Sequence, residues 1–183
     1  CTQGQIDFSD LIIGRNNGVK LFHDGDSTRI FGFSETLSEQ IDIPGPTIYI
    51  NEGDSILLDF WNVSQGAPHT IHLHGLDVDQ ANDGVPALSF EVHHMDHGYY
   101  RFKAPHAGTY LYHCHVVSPI HVQAGMYGTI IVRPADGDVH MTWTGGETYD
   151  REFLLNATEI DTNWHTNAVL EHEGEGGGNP VMI

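Results

Sequence analysis

The stretch Gly108-Thr109-Tyr110-Leu111-Tyr112-His113-Cys114-His115 decides how this chain folds. Aromatic and β-branched residues follow a glycine with no 3.6-residue period, so the segment reads as a strand. In an extended chain successive side chains point to opposite faces. Tyr110, Tyr112 and Cys114 therefore share one face, and His113 and His115 the other. A second stretch, His69-Thr70-Ile71-His72-Leu73-His74-Gly75, sorts in the same way: His69 falls with Ile71 and Leu73, and His72 with His74. Pairing the two strands with their apolar faces aligned collects His69 and Cys114 inside and His72, His74, His113 and His115 outside.

Outward from this pair, short runs rich in Ile, Val, Tyr and Phe recur at Asp10–Ile13, Val19–His23, Thr47–Ile50, Ser55–Trp61, Tyr99–Lys103 and Thr129–Val132. The separators Asn17-Gly18, Asp24-Gly25-Asp26, Pro44-Gly45-Pro46, Asn51-Glu52-Gly53-Asp54 and Asp136-Gly137-Asp138 are turn formers. No window carries a convincing helical period. The expectation is an all-β sandwich with Greek-key connections, of about seven to nine strands over residues 8–134. Residues 1–135 form the domain in this reading. Residues 136–183 are a C-terminal extension: Tyr149–Ala157 as one more strand, then a flexible tail around Glu173–Gly178, or the opening of a second domain.

The chain of 183 residues carries 25 Asp+Glu against 7 Lys+Arg, a formal charge of −18. Residues 136–183 hold ten of the acids and one base, so the excess is concentrated in the extension. Nucleic acid is excluded as the default partner, because phosphate neutralisation needs a basic surface. No apolar run is long enough to span a membrane. Two cysteines exclude a disulfide framework. Ser, His and Asp occur in no nucleophile-elbow context, so a hydrolase triad is not supported. Cys1 in place of an initiating Met suggests a cleaved leader, and a terminal Cys is the acceptor of a bacterial lipid anchor. The expected location is secreted, periplasmic or on the cell surface.

Fourteen histidines are the anomaly, ten of them between His69 and His121. Imidazole is the commonest protein metal ligand, so metal becomes the first functional question. The inner pair, His69 and Cys114, gains His121 and Met126 from the loop beyond the cysteine. Two imidazoles, a thiolate and a thioether form the trigonal blue-copper donor set, and the thioether favours copper over zinc. Taken singly, Cys114 also suits a buried thiol or a bridge to Cys1, and Met126 a core filler.

Pro44-Gly45-Pro46-Thr47, Glu52-Gly53-Asp54, His69-x-x-His72-x-His74-Gly75, Asp83-Gly84-Val85-Pro86, Gly108–His115 and His121-x-x-x-Gly125-Met126 together resemble the cupredoxin domains of multicopper oxidases and, more distantly, of copper nitrite reductases. The resemblance covers about residues 44–134 and implies a cupredoxin-like fold. It implies type 1 copper on His69, Cys114, His121 and Met126. It also implies that His72, His74, His113 and His115 are half the ligands of a trinuclear cluster. Electrons from a reductant would enter at type 1 copper and pass through Cys114 and its flanking histidines to the second site, where oxygen is reduced.

Cys114 and His121 are farther apart than the corresponding pair in typical multicopper oxidases, which implies a longer ligand loop and an altered colour. A trinuclear cluster takes ligands from two domains, so a second domain or another copy of the chain is expected to complete the outer set. His93, His94, His97 and His106 are spare ligand candidates. The leading expectation is an oxidoreductase of multicopper-oxidase type, served by a redox partner protein or a small reductant. A mononuclear electron carrier needs only the inner ligands, and an acidic surface would suit a basic redox partner. A nitrite-reductase-like enzyme would build type 2 copper from His74 and His113, with Asp77 or Asp79 assisting protonation.

Overall fold

The computed structural model describes residues 5–171. Its strands are β1 (Phe8–Leu21), β2 (Ser27–Ser34), β3 (Ile48–Asn51), β4 (Ser55–Asn62), β5 (His72–His74), β6 (His97–Lys103), β7 (Gly108–His113) and β8 (Tyr127–Arg133). They form two four-stranded sheets, ordered β2-β1-β4-β6 and β3-β8-β7-β5. The chain passes repeatedly from one sheet to the other, and both sheets are mixed: β1 runs parallel to β4 and β3 parallel to β8, the other neighbours being antiparallel. This is the all-β sandwich expected from the sequence.

Alternation explains the core. In β4, Ile56, Leu58 and Phe60 point inward between half-exposed neighbours, and β6 turns Tyr100 and Phe102 the same way. The opposite sheet supplies Ile71, Leu73, Tyr112 and Ile130, all essentially inaccessible. Strand β8 does not alternate; Tyr127 to Val132 are all buried. Its outward face is covered by the chain beyond Pro134, where Asn156 Nδ2 donates to Thr129 Oγ1 at 3.2 Å.

Several expectations are corrected. Asn17-Gly18 is not a turn: β1 runs through it, and a bulge shifts its register against β2 between Arg15 and Gly18. Strand β2 was not anticipated. Within the ligand loop the chain forms a short helix, α1 (Ser118–Ala124), with Pro119 in its first turn, where a missing N–H costs nothing. The strand expected at Tyr149–Ala157 does not form; from Arg151 the chain runs as an unpaired segment to Asp161.

That segment nonetheless packs against the sandwich. Arg133 clamps the Glu152 carboxylate, donates to Tyr149 Oη at 2.8 Å and lies over the Tyr49 ring. Ile160 packs on the small cluster of Ile30, Ile41, Ile43 and Tyr127. A 3-10 turn at Thr162–His165 and the short helix α2 (Asn167–Leu170) then close over the end of the sandwich that carries α1, with Leu170 fully buried in the main core. Cys1 and Glu173–Gly178 lie outside the described residues. Among the described residues no helix is long and apolar enough to cross a membrane.

Candidate metal centre

Strands β5 and β7 pair antiparallel, with His72 opposite His113, Leu73 opposite Tyr112 and His74 opposite Leu111. This register realises the parity expected from the sequence. Cys114, His69 and His121 are inaccessible to solvent, whereas His72, His113 and His115 are half-buried and His74 is exposed.

The inner group is compact. Cys114 Sγ lies 3.2 Å from His121 Nδ1 and 3.6 Å from His69 Nδ1, and the two Nδ1 atoms are 3.2 Å apart. Three elements converge to make it: the end of β7 presents the thiol, the chain before β5 presents His69, and α1 presents His121. The αL cap at Gly125 then turns the chain back, so that Met126 N donates to His121 O at 2.9 Å and Cys114 N donates to Met126 O at 3.0 Å. A Cβ on Gly125, at φ +119°, would run into Ile43 and the carbonyl of Phe31. Met126 is fully buried in the same core as the thiol. Burial alone pushes the Cys114 thiol up. The charge and hydrogen bond of His121, and those of His69, outweigh it and hold the pKa at about 5. Three donors aimed at one another in a buried core are what a soft cation would satisfy.

The outer group sits on the other face of the same two strands. Donor atoms of His72, His74 and His113 lie within 4.8 Å of one another. The His115 ring is 5.1 Å from that of His72 and 6.0 Å from that of His113, so all four rings form one cluster. Two rings are fixed by their far nitrogens. His72 Nδ1 donates to Asp83 O at 2.8 Å with the Asp83 carboxylate 3.4 Å away, and His113 Nδ1 donates to Cys114 O at 2.8 Å. Such bonds set the tautomer and leave Nε2 as the metal-binding lone pair. Burial, with the crowding of His72, His74 and His115, pushes the His113 pKa down against the opposing hydrogen bond to the Cys114 carbonyl.

The Asp83 contact is the functional feature that sequence reasoning missed. The Asp83-Gly84 pair was its signal. Gly84 has φ +80°, and a Cβ there would collide with the carbonyl of Ile71 and with His72 Cα, so only glycine lets the loop lie against β5. Other candidates have different employment. Asp79 caps a 3-10 turn by accepting from Ala81 N, and Asp77 lies 3.6 Å from His106 on the surface. His94 bonds Ser64 O, and His97 pairs with Asp59. Among the described residues, none of His93, His94, His97 and His106 joins a group of three metal donors.

A family model described as multicopper oxidase matches residues 35–137, more than half of the chain. The chain belongs to the multicopper oxidase family. Among curated relatives, this cupredoxin domain is 36% identical over 126 residues to copper resistance protein A of Escherichia coli, covering 68% of the chain and 19% of that protein. It is 31% identical over 121 residues to the copper-containing nitrite reductase of Alcaligenes xylosoxydans xylosoxydans, covering 64% of the chain and 35% of that protein. Among solved structures, the blue copper oxidase of Nitrosomonas europaea superposes with TM-score 0.58 at 32% identity over 69% of this chain and 39% of its own. A multicopper oxidase of Pseudomonas thermotolerans gives TM-score 0.61 at 26% identity over 70% of this chain and 30% of its own. The multicopper oxidase domain described here thus spans about a fifth to two fifths of these relatives' lengths. Copper is the metal of the family, and a thiol beside two imidazoles is a donor set suited to it.

Proposed function

We propose that this cupredoxin domain is the electron-accepting part of a copper-dependent oxidoreductase. His69, Cys114, His121 and Met126 hold type 1 copper, and His72, His74, His113 and His115 hold copper of type 2 or type 3. When bound, the metal supplies one-electron acceptance at the inner site and oxygen reduction at the outer one.

The chain's own residues make that division of labour workable. The buried inner donors exclude water and hold the thiol as thiolate, the form that binds metal. The backbone from His113 to His115 joins both sites directly, and the His113–Cys114 hydrogen bond adds a second contact between them. Asp83 and the Cys114 carbonyl orient two of the outer rings, while His74 stays open to an incoming surface. Exposed apolar side chains surround it: Leu111 pairs with His74 across the strands, and Leu154 and Leu155 line the same shallow depression. Such a patch suits a second cupredoxin face, from another domain or another copy, bringing the remaining ligands.

The observation that carries the reading is the convergence of four outer imidazoles, which a mononuclear carrier does not need. Oxygen consumption with a one-electron reductant tests it in the complete assembly. His115→Ala should abolish turnover while leaving the inner chromophore unchanged; retained turnover would leave the outer set without a catalytic part. Nitrite offered in place of oxygen tests the second reading, which the close pair His74 and His113, 3.2 Å apart, and the nitrite reductase relative favour.

A further inference from the structure

Between the inner ligand His69 and the outer ligand His72 the backbone changes partners. His69 forms an isolated antiparallel bridge with Val92, its N–H and its carbonyl both bonded there at 3.0 Å. His72 is already paired with His113 in β7. Continuing the register of β5 and β7 would set Ile71 opposite Cys114 and Thr70 opposite His115, yet the ladder stops at His72. Thr70 and Ile71 are both fully buried, so main-chain groups that lose their strand partners at this crossing have no water to turn to.

Two side-chain hydroxyls replace the missing ladder. Tyr100, from β6 in the opposite sheet, accepts from Ile71 N at 2.9 Å. Thr70 Oγ1 accepts from His115 N at 3.0 Å. The second bond ties the segment that carries His69 to the residue just past Cys114, at the point where the two chains part.

His115 is the outer residue with the least other support. His72 and His113 are anchored through Nδ1 to Asp83 O and Cys114 O, and His74 Nδ1 lies 3.2 Å from His113 Nε2. Strand β7 ends at His113 and does not extend to His115. Among the described residues the His115 ring makes no hydrogen bond, and it stands outside the tight group of donors formed by the other three rings. What fixes His115 is its backbone N–H on Thr70. Cys114 keeps its own ties, its N–H to Met126 O and its carbonyl to His113 Nδ1, so loss of the Thr70 hydroxyl falls on His115 rather than on the thiol.

We propose that Thr70 is a positioning residue for the outer metal group: by holding the His115 backbone, its hydroxyl sets the His115 imidazole against those of His72 and His113. The inference rests on the reading of the outer histidines as copper ligands. It assigns to one side chain, lying between an inner and an outer ligand in sequence, the task of keeping the outer set in register with the inner strand end.

The test compares Thr70→Val, which keeps the shape and removes the hydroxyl, with Thr70→Ser, which keeps the hydroxyl, in the full chain and its complete assembly. Cupric ion is titrated against a competing chelator, with EPR and visible spectra of each sample. Thr70→Val should hold the outer copper about tenfold more weakly or worse, as when other partners that orient metal ligands are altered, with the thiolate-to-copper band unchanged. Thr70→Ser should restore the native affinity. Leu170→Ala, which loosens the core without removing that hydroxyl, should leave outer affinity as in the native chain. Unchanged outer affinity in Thr70→Val, or a loss that Thr70→Ser shares or Leu170→Ala matches, overturns the proposal. If Thr70→Val does not fold, amide exchange in the metal-free native chain decides: the His115 N–H should exchange slowly, as a bonded buried amide does, and exchange at the rate of an exposed loop overturns the tether. Failure of the two-site reading looks different. The native assembly then takes up no copper beyond the inner one, before any substitution, and the amide measurement alone judges the Thr70 bond.

Discussion

His113 donates a hydrogen bond from Nδ1 to the carbonyl oxygen of its neighbour Cys114 at 2.8 Å, so the residue that faces the outer histidine cluster is anchored on the residue that supplies the inner thiol. The two sites share a backbone and a polar contact, yet their side chains occupy opposite faces of β7. Substitutions on one face should therefore be readable separately from those on the other.

Cys114→Ser is the sharpest change on the inner face. Serine is near-isosteric, so the sandwich should form with a similar circular dichroism spectrum, and the intense thiolate-to-copper absorption should vanish. Met126→Leu should keep the chromophore and raise the reduction potential, because a thioether that would help hold the oxidised metal is lost. Visible absorption and voltammetry check both.

On the outer face the support matters as much as the ligands. Asp83→Asn weakens the electrostatic hold on His72 and should lower copper affinity at the outer site by about tenfold, within the range seen when such partners are altered. Gly84→Ala forces a Cβ against the Ile71 carbonyl and should cost about 1–3 kcal/mol of stability as well as outer-site copper. Neither should alter the inner absorption band. Metal titration with denaturant melts separates the two effects.

The Arg133–Glu152 clamp carries a pH signature. The hydrogen bonds from Arg133 hold the Glu152 carboxyl below its ordinary value. A group with a depressed folded pKa stabilises above its unfolded value of about 4.3 and loses that contribution as pH falls through the folded value. Glu152→Gln should cost about 1 kcal/mol or less at pH 7, since the pair is partly exposed, and the difference from the native chain should close as the pH drops below about 4. Urea melts at several pH values measure it.

Leu170→Ala tests whether the C-terminal segment is part of the domain. Leu170 is fully buried against the main core, and its truncation should cost about 2–5 kcal/mol. A solvated tail would show no such loss in a urea melt.

Much of the inner and outer arrangement was legible because it rests on strand parity. Once Gly108–His115 is extended, Cys114 and His113 must part, and the observed pairing of His72 with His113 follows from aligning Leu73 with Tyr112. Other features lacked a local signal. Seven residues are too few for α1 to display a period, and Pro119 in its first turn reads as a loop marker. Asn17-Gly18 has turn chemistry, but the flanking β-formers carry the strand through it as a bulge. The wrapping of Glu152 to Leu170 around the sandwich depends on long-range partners such as Arg133 and the Arg29 carbonyl, which takes a hydrogen bond from His165 at 2.7 Å. The role of Asp83 lay in a motif whose meaning appears only when the loop is seen against β5.

The measurement that bears most directly on the central claim, a type 1 copper coupled to a second copper site on one strand pair, is copper content per chain with EPR and visible spectra of the same oxidised sample. The account predicts more than one copper per chain in the complete assembly, with a type 1 signal beside a type 2 signal, and loss of the extra copper alone in His72→Ala. One copper with a type 1 signal only, unchanged in His72→Ala, would contradict it and leave a mononuclear electron carrier.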